Sequence, residues 1–81
     1  MTREEAFKRL TDVFREVFDD DSIELNEETT SDDVEDWDSF EHINLVVAVE
    51  KEFSFKIPMG KVITMKNVGE MASIVESRRR R

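Results

Sequence analysis

The side chain with the clearest position for chemistry is Ser39, which lies between Asp38 and Phe40. The residues that follow predict that a helix begins at this point. The first N–H groups of a helix lack partners within the helix, and with the positive end of its dipole they favour an attached phosphate. Asp38 would then cap the helix or hold a divalent cation. The alternative is that Asp38 and Ser39 only cap a helix, and these two residues do not separate the interpretations.

The sequence gives Ser39 no means of acting as a nucleophile by itself. The chain has one His and no Cys, which excludes disulfides, thiolate metal sites and a cysteine nucleophile. No His-plus-acid pair is placed to activate the Ser39 hydroxyl. We expect His42 to be structural, because a lone His without a Cys or a second His is weak support for a metal site. The sequence therefore predicts no catalytic residue, no metal and no enzyme.

Composition limits the size of the protein and its partners. The chain has 81 residues and a formal net charge of −8, which predicts one small domain over residues 1–77 and a disordered basic tail, Arg78–Arg81. An acidic surface repels phosphate backbones, so nucleic acid is a poor partner and basic protein patches are better ones. The longest apolar run, Leu45–Val49, is far shorter than the roughly 20 residues that span a bilayer. We expect a cytoplasmic monomer without membrane insertion.

Apolar residues at helical spacing, together with capping patterns, predict an all-α protein. The expected fold is a small four-helix bundle of three longer helices and one short helix. Capping boxes are indicated by the pairs Thr2 and Glu5, Asp38 and Glu41, and Asn67 and Glu70. The predicted helices run from about Arg3 to Phe18, from Asp38 to Phe53, from Met59 to Ile63, and from the cap at Asn67 to Ser77.

A long acidic connection, residues 19–38, separates the first two predicted helices. A loop of this length is unusual in a compact domain and calls for an explanation. It contains apolar residues that can anchor it across the helices, namely Ile23, Leu25, Val34 and Trp37. We therefore predict an ordered loop with a specific task at its end.

The second predicted helix carries two apolar stripes. At about 100° per residue, Leu45, Val46, Val49 and Phe53 form one stripe, and Phe40, Ile43 and Val47 form another almost opposite. The first is expected to join the core, which is predicted to comprise Phe7, Leu10, Phe14, Leu45, Val49, Phe53, Val68 and Ile74. The second stripe is either covered by the loop and neighbouring helices or exposed for docking of another protein.

Several of these features occur together, in order, in one known family. They are the first helix, the long loop, Asp38-Ser39-Phe40 at the start of an apolar-acidic helix, and Ile57-Pro58 at a set distance after it. Over residues 3–76 the chain resembles the acyl carrier proteins, whose signature is an Asp-Ser-Leu-like tripeptide opening such a helix. Neither the tripeptide nor Ile57-Pro58 would mean much alone.

The resemblance implies a prosthetic group and partners. Family members carry 4′-phosphopantetheine on the Ser that matches Ser39, attached by a phosphopantetheinyl transferase from coenzyme A, and they hold acyl groups on it as thioesters. It also implies that Asp38 helps to position Mg²⁺ and coenzyme A during that transfer. Partner enzymes with basic patches would meet the helix through Phe40, Glu41, Ile43, Asn44, Val47 and Glu50.

The chain also departs from the usual pattern of the family. Asn44 and Lys51 stand where fatty-acid carriers usually have acidic residues, Phe40 replaces Leu, and Lys61 and Lys66 lie in a stretch that is often acidic. These departures favour a specialised or secondary acylation pathway. The alternatives are an aminoacyl, peptidyl or D-alanyl carrier, and a helical interaction module without a prosthetic group. A longer acyl chain would have room between the second and third helices, near Val46, Val47 and Val62, only if the packing there is loose.

Overall fold

The computed structural model describes residues 2–65 and 67–77, and over these ranges it contains four α-helices and no β-strand. The helices are α1, Arg3–Val17; α2, Ser39–Phe53; α3, Met59–Thr64; and α4, Val68–Ser77. The predicted all-α fold of three longer helices and one short helix is confirmed, with the helix ends close to their predicted positions. Lys66 and the tail Arg78–Arg81 lie outside the described residues. None of the described helices is both long and apolar enough to cross a membrane.

The helix starts follow the predicted caps, with one difference. At α1 the box is complete, because Thr2 Oγ1 accepts from the Glu5 N–H at 3.1 Å and Glu5 accepts from the Thr2 N–H at 3.2 Å. At α2, Asp38 Oδ1 accepts from the Glu41 N–H at 2.8 Å. The Glu41 carboxylate instead accepts from the Asn44 side chain at 3.3 Å, so the predicted box forms only in half.

The core lies where α1 packs against α2 and α4. Six of the eight predicted core residues are buried, namely Leu10, Phe14, Leu45, Val49, Phe53 and Val68. The prediction was wrong for Phe7 and Ile74, which are only partly buried against this core. The Phe7 ring is at the edge, with the Arg3 guanidinium 5.7 Å from its centroid. On α4 the buried residues are Val68, Gly69, Met71, Ala72 and Val75.

The predicted ordered loop is confirmed by its buried anchors. Ile23, Val34 and Trp37 are buried, and Leu25 is partly buried against the same core. The loop also bonds to the start of α4, where the Val68 N–H donates to Thr29 O at 2.8 Å and the Gly69 N–H donates to Glu27 O at 3.0 Å. Backbone and side chains together therefore fix the path of this loop across the bundle.

Arg3 fastens α1, the loop and α4 together. Its Nε and Nη2 donate to the two carboxylate oxygens of Glu27 at 2.5 and 2.6 Å. Nη2 also donates to Gly69 O at 2.9 Å, and Nη1 donates to Glu76 at 2.9 Å. The hydrogen bond from Arg3 holds the pKa of Glu27 below its usual value, and the same carboxylates raise the pKa of Arg3 further. We call Arg3, Glu27 and Gly69 the Arg3 clasp.

Candidate functional site

Ser39 is the first residue of α2 and its side chain is exposed. Asp38 is the N-cap residue, and its backbone oxygen accepts from the His42 N–H at 2.8 Å. The Ser39 hydroxyl therefore lies in solvent at the positive end of a 15-residue helix, where a negatively charged substituent is stabilised. A modifying enzyme can reach it without unfolding any element.

The end of the long loop fixes the direction in which α2 begins. Trp37 is buried, and its backbone N–H donates to Val34 O at 3.2 Å. Asp36 has a φ of 72°, in the left-handed region that favours glycine and that Asp tolerates better than most residues. The Asp38 N–H then donates to Asp36 O at 3.1 Å. This tight bend lets the loop bury Trp37 and expose Ser39 two residues later.

A pocket of about 420 Å³ opens beside Ser39, between α2 and α3. It is lined by Ser31, Trp37, Asp38, Ser39, His42, Ile43, Met59, Val62 and Met65. The lining is mixed, with apolar side chains beside the hydrogen-bonding groups of Ser31, Asp38, Ser39 and His42. A flexible amide-containing arm attached to Ser39 fits such a lining, because its alkyl segments can lie on the side chains of Met59 and Met65.

His42 joins three elements at the wall of this pocket. Trp37 Nε1 donates to His42 Nδ1 at 3.1 Å, and His42 Nε2 is 3.2 Å from Val62 O. The indole N–H can only donate and the carbonyl can only accept. The neutral imidazole with its proton on Nε2 therefore satisfies both contacts. The structural role predicted for His42 agrees with these bonds, but its position beside Ser39 was not predicted.

The second stripe of α2 is exposed, which favours the docking interpretation. The exposed fraction of the residue is 73% for Phe40, 51% for Ile43 and 46% for Val47, and on α3 it is 66% for Met59. We call these four residues the apolar strip. Met59 was missed from the sequence because it belongs to another helix and follows no spacing shared with α2. Large exposed apolar side chains next to one another are typical of interaction surfaces.

The polar residues near this surface differ in how far they are exposed to solvent. Asn44 is exposed and donates to the half-buried Glu41. Glu50 faces inward: its side chain is 16% exposed and its carboxylate accepts from the Ile57 N–H at 2.7 Å. Lys51 is exposed at the far end of α2. Glu50 therefore lies at the margin of the surface and holds the connection between α2 and α3.

Several acidic groups lie near Ser39. Asp36, Asp38 and Glu41 line a shallow hollow of about 220 Å³ together with Asp19. Within residues 2–65 and 67–77, no group of three or more His, Asp or Glu side chains is arranged to hold a metal ion. These carboxylates place negative charge around the start of α2, which opposes the positive end of the helix dipole.

Comparisons with known proteins agree with this geometry. The family model described as "Phosphopantetheine attachment site" matches residues 8–75. Acyl carrier proteins of Lactobacillus acidophilus and Lactobacillus johnsonii are each 29% identical over 77 residues, covering 95% of this chain and 96% of theirs. The solution NMR structure of holo acyl carrier protein from Geobacter metallireducens superposes with a TM-score of 0.82 and 44% identity, over 88% of this chain and 82% of that one.

The match extends over the long loop, the α2 start and the α3 region, and the exposed hydroxyl beside a pocket of mixed polarity suits the group that such proteins carry. The chain therefore belongs to the acyl carrier proteins, which bear a phosphopantetheine prosthetic group and act as carriers, not as enzymes.

Proposed function

We propose that Ser39 is the attachment residue and that the protein presents acyl groups, held on 4′-phosphopantetheine, to partner enzymes. The observation that carries this proposal is the exposed Ser39 hydroxyl at the N-terminus of α2, next to a pocket of about 420 Å³. The attached group supplies a terminal thiol, on which acyl groups form thioesters. That source of sulfur suits a chain without Cys.

The roles of Asp38 and Ser39 follow from their places at the helix start. Ser39 supplies the oxygen that is linked to phosphate, and the N-terminus of α2 stabilises the resulting negative charge. Asp38 caps the helix through Oδ1 and adds a negative charge beside that phosphate. A divalent cation held beside Asp38 would offset the repulsion between the two charges during transfer. Asp38 is therefore proposed to position Mg²⁺ and coenzyme A while the transferase acts.

The proposed docking surface is the apolar strip with its polar border. Phe40, Ile43 and Val47 offer apolar area that the folded chain leaves uncovered. Glu41 and Asn44 lie beside these residues on α2, and Glu50 contributes at the margin. The acidic end near Ser39 favours a partner whose patch is basic, which raises the rate of encounter as well as the specificity. A phosphopantetheinyl transferase and acyl-handling enzymes are the expected partners.

We further propose that this protein serves a dedicated acylation pathway, and that it is a monomer located in the cytoplasm. Two features of the surface support a dedicated pathway: exposed Asn44 and Lys51 make α2 less acidic away from Ser39 than at its start. When this chain replaces the fatty-acid carrier of a bacterium, we expect it not to sustain growth. Growth at the normal rate would contradict the proposal. Sedimentation of the purified protein checks the monomer.

The attachment site is tested with purified apo-protein, coenzyme A, Mg²⁺ and a broad-specificity phosphopantetheinyl transferase. Intact-mass spectrometry should show the addition of one phosphopantetheine to the wild type and none to Ser39→Ala. Ser31→Ala is the matched control, because Ser31 is also exposed and lines the same pocket. It should be labelled like the wild type. Labelling of Ser39→Ala would refute the assignment.

The roles of Asp38 and the strip are tested in the same assay. Asp38→Asn retains an oxygen for the cap but loses the charge, so labelling should slow while stability stays close to that of the wild type.

Ile43→Ser should raise the KM for the carrier more than it lowers kcat, because it removes binding area remote from the hydroxyl. Lys8→Ser, an exposed change on α1, is the control. Full cellular function with Ser39→Ala would favour a helical interaction module instead.

A further inference from the structure

The face of α2 that leads from Ser39 into the bundle passes through His42. Ser39, His42 and Val46 are three and four residues apart, so they lie on one face of the helix. Ser39 is exposed, His42 is half-buried and Val46 is buried in the core. An acyl chain entering from Ser39 between α2 and α3 must therefore pass His42 before it reaches Val46.

The bonds of His42 close this route. Nε2 donates across the seam between the two helices to Val62 O, 3.2 Å away, while Nδ1 accepts from Trp37. The two rings are nearly parallel, with ring centroids 5.9 Å apart and an interplanar angle of 25°, an arrangement that suits the in-plane N–H donation. Trp37 itself packs edge-on against Phe14, with centroids 5.1 Å apart. The imidazole is therefore held at Nδ1 by the buried Trp37 and at Nε2 by the backbone of Val62.

Among the described residues, the side chains behind His42 belong to the core. Val46 and Val62 are both buried, and the next turns of α2 place Leu45 and Val49 in the interior with no exposed surface. The pocket at Ser39 is lined by His42 and Val62 but not by Val46. Within the part of the chain that the structure describes, the cavity beside the attachment residue thus ends at the His42–Val62 hydrogen bond.

We propose that His42 is a specificity-determining residue that latches α3 to α2 and confines the cargo to the pocket beside Ser39. This inference rests on the proposed attachment to Ser39. The carrier shelters short acyl groups, and a long chain stays outside the bundle, exposed to water or to a partner enzyme.

The first test compares thermal unfolding of two loaded forms. A broad-specificity transferase attaches the acylated arm from butyryl- or dodecanoyl-coenzyme A, and mass spectrometry confirms the product. If a long chain entered the bundle, the extra methylenes would be buried on folding and would raise the Tm by roughly 5 °C or more. We expect the two wild-type forms to melt within about 2 °C of each other.

Variants of His42 show whether the latch is the cause. His42→Leu removes both hydrogen bonds, and its dodecanoyl form should melt roughly 5 °C or more above its butyryl form. His42→Gln is the matched control, because its amide can still accept from Trp37 and donate to Val62, and it should behave like the wild type. Trp37→Phe removes the N–H that orients the imidazole, together with part of the buried ring. The chain-length dependence of its Tm should shift toward that of His42→Leu, and it serves if His42→Leu does not fold.

The outcomes separate the latch from the attachment site. The proposal is refuted if the Tm of the wild type rises with the length of the acyl chain. It is also refuted if the Tm of His42→Leu does not depend on chain length, or if His42→Gln shows the same dependence as His42→Leu. In the unloaded protein, ¹⁵N chemical shifts of the sole His should show the proton on Nε2; a proton on Nδ1 refutes the latch. If the transferase fails to label Ser39, the proposed function is contradicted. The latch is then still tested by the NMR measurement, because that measurement uses the unloaded protein.

Discussion

Gly69 offers a sharp test of the junction between the long loop and α4. It is the second residue of α4, it is buried, and its N–H donates to Glu27 O. A Cβ added at this position would lie 2.6 Å from that same backbone oxygen and 2.7 Å from Glu27 Oε1. Contacts this close force the loop or the helix to move. Gly69→Ala therefore strains the Arg3 clasp directly.

The size of the effect follows from two opposing contributions. Overpacking of a fixed backbone contact costs about 1 to 3 kcal/mol, whereas replacing Gly by Ala in a helix contributes up to about 1 kcal/mol of stability. We expect a net loss of about 1 to 2 kcal/mol. For a domain of this size, each kcal/mol lowers Tm by roughly 4 to 8 °C.

Gly60→Ala is the matched control for this change. Gly60 is likewise the second residue of its helix, α3, but a Cβ there would have no heavy atom within 4 Å. Gly60→Ala should leave Tm unchanged or raise it slightly. Thermal and urea unfolding followed by far-UV circular dichroism measures both variants. If Gly69→Ala is as stable as Gly60→Ala, the close approach of the loop to α4 is wrong.

Three further predictions concern the core, the Arg3 clasp and the α2 cap. Phe53→Ala should cost about 3 to 5 kcal/mol in urea unfolding, because the ring is buried in the core; a loss below 1 kcal/mol would contradict its burial. Glu27→Gln should lower Tm at neutral pH, because Arg3 lowers the pKa of Glu27. A group with a lowered pKa stabilises the fold above its usual pKa, so the difference from the wild type should vanish as the pH falls well below about 4; a difference independent of pH would argue against the ion pair. Asp38→Ala should cost about 0.5 to 2 kcal/mol through loss of the N-cap, and Asp38→Asn should restore most of it in the same unfolding assay.

The parts of the fold that the sequence predicted are those encoded locally. Thr2 and Glu5 mark the start of α1 within one turn, and Asp38 does so for α2, because a cap needs only a side chain and an N–H three residues later. The two stripes of α2 follow from helical spacing alone. This local information was enough to place Ser39 at an exposed helix start.

The missed features depend on contacts between residues distant in sequence. The Arg3 clasp joins positions whose proximity no local pattern reveals. Glu50 looked like a surface acid, yet its carboxylate accepts from the Ile57 N–H, because the chain turns back after Ser54, which has a φ of 59°. His42 was expected to be structural, but its partner Val62 O is a backbone atom, to which sequence patterns give no guide.

The position of Trp37 has a practical consequence for studying this carrier. It is the only Trp in the chain, it lies two residues before Ser39, and it lines the adjoining pocket. Its indole is in contact with the imidazole of His42, and indole emission responds to such neighbours and to water. Intrinsic fluorescence can therefore follow loading, unloading and encounter with a partner in real time, on the unmodified protein and without a dye.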